Sequence, residues 1–168
     1  AETSVYSVIL PSFSRLQTDK RPVITPLEAS GVIDRTGGKS FYAIDVTDPA
    51  AMTDETIVAS KVLWEFTDAD MGFSFGAPLV LKTKRYGWVV VLTSGYHNDN
   101  SDHNGYLYFV HPQTGALLQK VSTGAVANGM THATAFISDL TDGTADAIYV
   151  GDLNGQLAAL ELGAKRLD

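Results

Sequence analysis

Gly105-Tyr106-Leu107-Tyr108-Phe109-Val110, then Pro112-Gln113-Thr114-Gly115, then Ala116-Leu117-Leu118-Gln119-Lys120-Val121 reads as a strand, a turn and a second strand. The apolar runs are too short for helices and are bounded by turn chemistry, which is how strands present themselves. The same order of residues returns elsewhere in the chain. Tyr42-Ala43-Ile44-Asp45 aligns with Tyr108-Phe109-Val110-His111, and both align with Ala158-Ala159-Leu160-Glu161. Val62-Leu63-Trp64-Glu65-Phe66 falls on Leu117 to Val121, and Val90-Val91-Leu92-Thr93-Ser94 falls on Ile148 to Asp152. Each cycle holds four short strands, at roughly the 40–50 residues of a propeller blade. No stretch sustains a period of 3.6, so the chain is predicted to be all-β, built of β-propeller-like blades of four antiparallel strands.

Working outward, the repeated blades occupy residues 39–168, with cycles starting near 39, 105 and 155. The first cycle has strands at Ser40 to Val46, Lys61 to Phe66, Gly76 to Leu81 and Trp88 to Thr93, the last two joined as a hairpin across Lys82 to Gly87. Ala50 to Ser60 is a polar insertion with room for one helical turn. The second cycle adds Thr131 to Ile137 and Ala147 to Val150, and the third is cut short at the C-terminus. Residues 1–38 read as one strand, Ser4 to Leu10, plus an irregular surface connection through Pro22 and Pro26. A blade buries its faces only against neighbours, and closed propellers need about 4–8 blades, so the chain is expected to be part of a larger propeller.

Composition excludes several functions. The 168 residues are 45% hydrophobic, enough for a domain-sized core, and carry a net charge of −7. With no basic stripe to replace phosphate counterions, nucleic acid is not an expected partner. Lys82-Thr83-Lys84-Arg85 and Lys165-Arg166 read as solvated loops. Cysteine is absent, which removes disulfides, thiolate catalysis and Cys-based zinc sites. No apolar run is long enough for a membrane-spanning helix, so membrane insertion is not expected.

The chemistry-bearing stretch is Ser138-Asp139-Leu140-Thr141-Asp142-Gly143-Thr144-Ala145-Asp146, an acidic loop between two strand-like segments. Calcium takes oxygens from alternate residues of a tight loop, which points to Asp139, Asp142 and Asp146 as side-chain ligands with Thr144 through its carbonyl. The competing reading is a β-hairpin turning at Asp142-Gly143, which needs no metal. A second polar loop, His97-Asn98-Asp99-Asn100-Ser101-Asp102-His103-Asn104, has oxygens and imidazoles that could hold a cation, and equally the composition of an exposed recognition loop. His111 and His132 read as strand-end residues, and Trp64 and Trp88 as core. No Ser/His/Asp set, phosphate loop or paired-carboxylate frame is present, and the chain is expected not to be an enzyme.

Gly38-Lys39-Ser40-Phe41-Tyr42-Ala43-Ile44-Asp45-Val46-Thr47-Asp48-Pro49, Leu63-Trp64-Glu65-Phe66 and Ser94-Gly95-Tyr96-His97-Asn98 resemble the C-terminal propeller of the PilC/PilY family. Gly105-Tyr106-Leu107-Tyr108 with Thr114-Gly115, and Tyr149-Val150-Gly151-Asp152-Leu153-Asn154-Gly155, are similar to that family's following blades. These are type IV pilus tip-associated adhesins and biogenesis factors with quinoprotein-like propellers. The resemblance implies export through the periplasm to the cell surface and pilus tip. It also implies pilus-tip and minor pilin partners, a host-cell or surface ligand, and a role in pilus extension and twitching motility. It further implies a calcium loop of the form Asp-x-Asp-x-Asp-Gly-x-x-Asp. Anchored on Asp142, Gly143 and Asp146, the first and third ligand positions here are Ser138 and Leu140, and a leucine side chain has no oxygen to offer. In a loop one residue shorter, Asp139 and Thr141 would supply them. Two other functions compete: a fragment of a quinoprotein dehydrogenase using pyrroloquinoline quinone, and a purely structural scaffold.

Overall fold

The computed structural model describes residues 22–26, 38–98, 104–126, 129–130 and 132–163. The strand expected at Ser4 to Leu10 lies outside them. In chain order the elements are β1 (Pro22–Pro26), β2 (Phe41–Asp45), a 3-10 turn (Pro49–Ala51), α1 (Glu55–Ser60), β3 (Val62–Phe66), β4 (Leu79–Thr83), β5 (Gly87–Thr93), β6 (Asn104–Val110), β7 (Leu117–Val126), β8 (Ala133–Phe136), β9 (Ala147–Gly151) and β10 (Leu157–Glu161). The architecture is all-β, as the repeat predicts. Among the described residues every strand–strand ladder is antiparallel and joins strands consecutive in sequence, giving the sheets β1-β2-β3, β4-β5-β6-β7 and β8-β9-β10. The middle sheet is a complete four-stranded blade, and its three-stranded neighbours flank it as in part of a propeller. No helix among the described residues is long and apolar enough to cross a membrane.

Hydrogen bonding groups the strands in a different phase from the cycles. Counted from Lys39, β4 and β5 belong with β2 and β3, yet they pair with β6 and β7. A repeat supplies a period but no phase, and the long polar loop after β5 looks like a boundary. Its stem is instead closed across the gap, by Ser94 N–H to Tyr106 O at 2.9 Å and Asn98 Nδ2 to Asn104 O at 2.6 Å. The connection at Pro22 to Pro26 is also corrected. It is a strand, and it is tolerated because β1 lies at a sheet edge, where the N–H groups that proline lacks are not all needed.

Two cores flank the middle sheet. From β5, Val90 and Leu92 face one way with Tyr108 and Val110 of β6, against Phe41, Ala43, Trp64 and Phe66 of the first sheet. Val89 and Val91 face the other way with Leu107 and Phe109, against Ile148 and Val150 of the third. Each of these β5 and β6 side chains is essentially inaccessible to water. At about 1.5–3 kcal/mol for each large apolar side chain buried, this strand pair dominates the packing energy. It also explains why Trp88 to Leu92 shows no polar alternation: a strand covered on both faces has no wet side to mark.

Between the first two sheets the contact is specific. The Trp64 indole N–H donates to Pro112 O at 2.9 Å, in the turn joining β6 to β7. Gly115, in the same turn, has φ of 69°, and a Cβ added there would lie 2.7 Å from Trp64 Cβ. Both the left-handed backbone and the close approach require glycine. Trp64 is therefore core, as its alternating strand predicts, whereas Trp88 is partly exposed on the β4–β5 hairpin. Val62 is exposed while Trp64 and Phe66 are buried, and the β2–β3 register shifts between their partners, at Ala43/Ile44.

Candidate functional site

The acidic loop leaves β8 at Phe136 and enters β9 at Ala147. Its turn is closed by Gly143 N–H donating to Asp139 O at 3.2 Å, and Gly143 takes φ of 65°, the left-handed position that an Asp-Gly pair supplies. Every one of its carboxylates accepts a main-chain N–H. Asp139 Oδ1 accepts from Thr141 N at 2.8 Å, and Asp142 Oδ1 from Thr144 N at 2.7 Å. Asp146 Oδ2 accepts twice from Ser138, from N at 2.7 Å and from Oγ at 2.6 Å. The far side of the loop is seated on β4: Ala145 N–H donates to Lys82 O at 2.8 Å, and Lys82 Nζ donates to Asp142 O at 3.0 Å. Thr144 and Ala145 are buried by this seating, while Leu140 points outward at 84% exposure.

These contacts set the electrostatics. The Asp142 carboxyl is held below the usual carboxylate range, first by the Thr144 N–H and then, more weakly, by Lys82 and Lys84. Asp146 is lowered in the same direction, chiefly by the Ser138 hydroxyl and N–H, with Lys84 adding a smaller part. Hydrogen bonds to an ionised carboxylate favour the charged form, so internal donors account for the larger part of each shift and the lysines for the rest.

Calcium needs 6–8 oxygens converging at 2.3–2.6 Å. Among the described residues no three His, Cys, Asp or Glu side chains stand together as a metal-sized group. Asp139, Thr141, Asp142, Thr144 and Asp146 share the loop, but the three carboxylates are spread along it, each turned onto its own N–H. Ser138 acts as a donor and Leu140 supplies nothing. As folded, this donor set does not fit a calcium ion. Of the second polar loop, residues 99–103 lie outside the described residues. His97 sits in the left-handed region at φ of 51°, its ring edge-on to Phe73 at 6.3 Å.

A further polar cluster escaped the sequence reading. Lys120 of β7 forms ion pairs with Asp68, at 2.6 Å, and with Asp70, and its ammonium lies 4.5 Å from the Tyr106 ring centre and 5.5 Å from that of Tyr108. Burial alone would raise Asp68, but the Lys120 hydrogen bond and charge, with the Asp70 N–H, bring it below its ordinary value. Burial would lower Lys120, yet its two carboxylate partners raise it. Tyr108 is pushed up by burial and by the same carboxylates, and its hydroxyl stays protonated. Lys120 pairs directly across from Tyr108 in the sheet, so both side chains share a face. The only sequence signal for this is the alternation Tyr106-x-Tyr108, which stays mute until the β6–β7 register is known.

Comparison with known proteins agrees with this architecture. Residues 30–168 match the family model described as the PilY1 beta-propeller domain. The chain is 35% identical over 140 residues to the type IV pilus biogenesis factor PilY1 of Pseudomonas aeruginosa, and 29% identical over 144 residues to a PilY1 homolog of Xylella fastidiosa. The alignments take in 80% and 77% of the chain but only 11% and 9% of those relatives, so the chain spans about a tenth of their length. The crystal structure of the Pseudomonas aeruginosa PilY1 C-terminal domain superimposes with a TM-score of 0.63 at 31% identity, over 88% of this chain and 31% of that one. Strand order, the packing of neighbouring sheets and these matches agree, and the chain belongs to the PilY1 beta-propeller domain family.

Proposed function

We propose that this chain is the propeller portion of a type IV pilus biogenesis factor, exported to the cell surface, where it acts by binding rather than by catalysis. The observation that carries the reading is the family match across residues 30–168. Relatives sharing these residues bear the name of pilus biogenesis factors. The fold supports a binding role, since a middle sheet covered on both faces holds polar loops at its rim, and such loops commonly carry recognition. Partners are then components of the pilus machinery, including pilus-tip and minor pilin proteins, and attachment to a host cell or surface together with twitching motility follows from the tip position.

The experiment is removal of residues 38–163 from the protein in its native cell, scoring piliation, twitching and surface attachment separately. Loss of surface pili with loss of the other two phenotypes is the expected result for a biogenesis domain. Normal piliation with failed attachment would reassign the domain to adhesion alone. Normal scores on all three would overturn the reading.

A further inference from the structure

We propose that the acidic loop of this chain keeps its shape without a divalent cation, with Lys82 of the neighbouring strand supplying the positive charge that a bound ion would otherwise bring. The inference is independent of the pilus role proposed above. It begins from the mismatch between the loop and the ligand frame that the family resemblance implies. In the full-length frame the first and third positions are Ser138 and Leu140, and neither behaves as a ligand. In the shorter frame they are Asp139 and Thr141, and there Asp139 Oδ1 takes the Thr141 N–H at 2.8 Å, with no metal-sized group of carboxylates beside it among the described residues. The Ser138 hydroxyl and N–H both donate to Asp146 Oδ2, so this position satisfies a carboxylate rather than adding one. Leu140 is exposed and has no oxygen.

The compensation comes from β4. Lys82 touches the loop twice, through its carbonyl to Ala145 N–H and through its ammonium to the Asp142 carbonyl. Lys82 and Thr144 also form a parallel bridge, so the lysine is held in register with the loop by main-chain contact. Lys84, on the same hairpin, adds its field to both Asp142 and Asp146. Acidic groups on one turn repel unless something screens them, and here a covalently attached ammonium lies on the loop. The hairpin of Lys82-Thr83-Lys84-Arg85, which in sequence reads as a solvated basic loop, thereby gains a structural task.

The test has two parts. Protein purified through EGTA is titrated with CaCl2 by calorimetry, and its thermal unfolding is compared in EGTA and in millimolar Ca²⁺. No saturable heat and an unchanged unfolding midpoint are expected. Saturable heat that Asp142→Ala abolishes, or a midpoint raised by Ca²⁺, would overturn the proposal. In the second part, amide exchange is measured at Thr144 and Ala145 in Lys82→Met and Lys82→Arg. Loss of one partly exposed charge-assisted hydrogen bond is expected to speed exchange roughly three- to tenfold in the Met variant, and the Arg variant should restore protection. Unchanged protection in Lys82→Met would show that the ammonium does not hold the loop. Should that variant fail to fold, the Ca²⁺ titration of the unaltered protein still decides.

Discussion

Lys120 ties an inter-element loop to the middle sheet, joining Asp68 and Asp70 to a strand about 50 residues away in sequence, over two tyrosine rings. Replacing it with methionine keeps the stem but leaves two carboxylates facing each other, and is expected to cost about 1–3 kcal/mol, measurable by urea unfolding. The pH dependence follows from the directions of the shifts. Asp68 is lowered, so its contribution is present above its unfolded pKa and is lost as pH falls through the folded value. Lys120 is raised, so its contribution is present below its unfolded pKa and is lost only as pH rises through a still higher one. The stability gap between unaltered protein and Lys120→Met should be flat near neutrality and shrink below about pH 4. A gap that stays constant into acid would show that packing of the lysine stem, not charge, is what was lost. Gly115 supports a second expectation: Gly115→Ala forces a left-handed alanine against Trp64 and should destabilise by about 2–4 kcal/mol. Chemical denaturation with tryptophan fluorescence reads both the loss and the disturbed indole.

Among the elements, β5 and β6 carry the packing, and they are also the plainest in the sequence. Val89-Val90-Val91-Leu92 is apolar on every residue because it feeds two cores at once. Leu92→Ala should therefore cost about 2–5 kcal/mol in thermal or chemical unfolding. Phe136→Ser, on the outer sheet and 52% exposed, should change stability by no more than about 0.5 kcal/mol. Similar costs for the two would mean that the middle sheet is not the shared wall described here. Other elements are less readable, for definite reasons. β1 is bracketed by prolines, which argue against a strand unless its edge position is known. The grouping of β4 and β5 with β6 depended on pairings across a polar loop that resembles a linker. For the acidic loop, composition was visible at once, but composition does not say where a carboxylate points. That Asp139, Asp142 and Asp146 would each turn onto a separate N–H depends on the turn closed at Gly143 and on the contact with Lys82, 60 residues distant.

For the molecule as a whole, successive sheets share walls, and the first shared wall is closed late. The Trp64 indole has its acceptor in Pro112, 48 residues further along the chain. Strands β2 and β3 can pair as soon as both exist, because their contacts are local, but among the described residues the face carrying Phe41, Trp64 and Phe66 is covered, beyond Met71, chiefly by β5, β6 and the Gly115 turn. A chain emerging N-terminus first therefore presents a sticky aromatic surface for the time needed to deliver about fifty more residues. A substitution at Gly115 that slows closure of this turn is expected to lengthen the period during which the half-built chain is open to aggregation and to proteases.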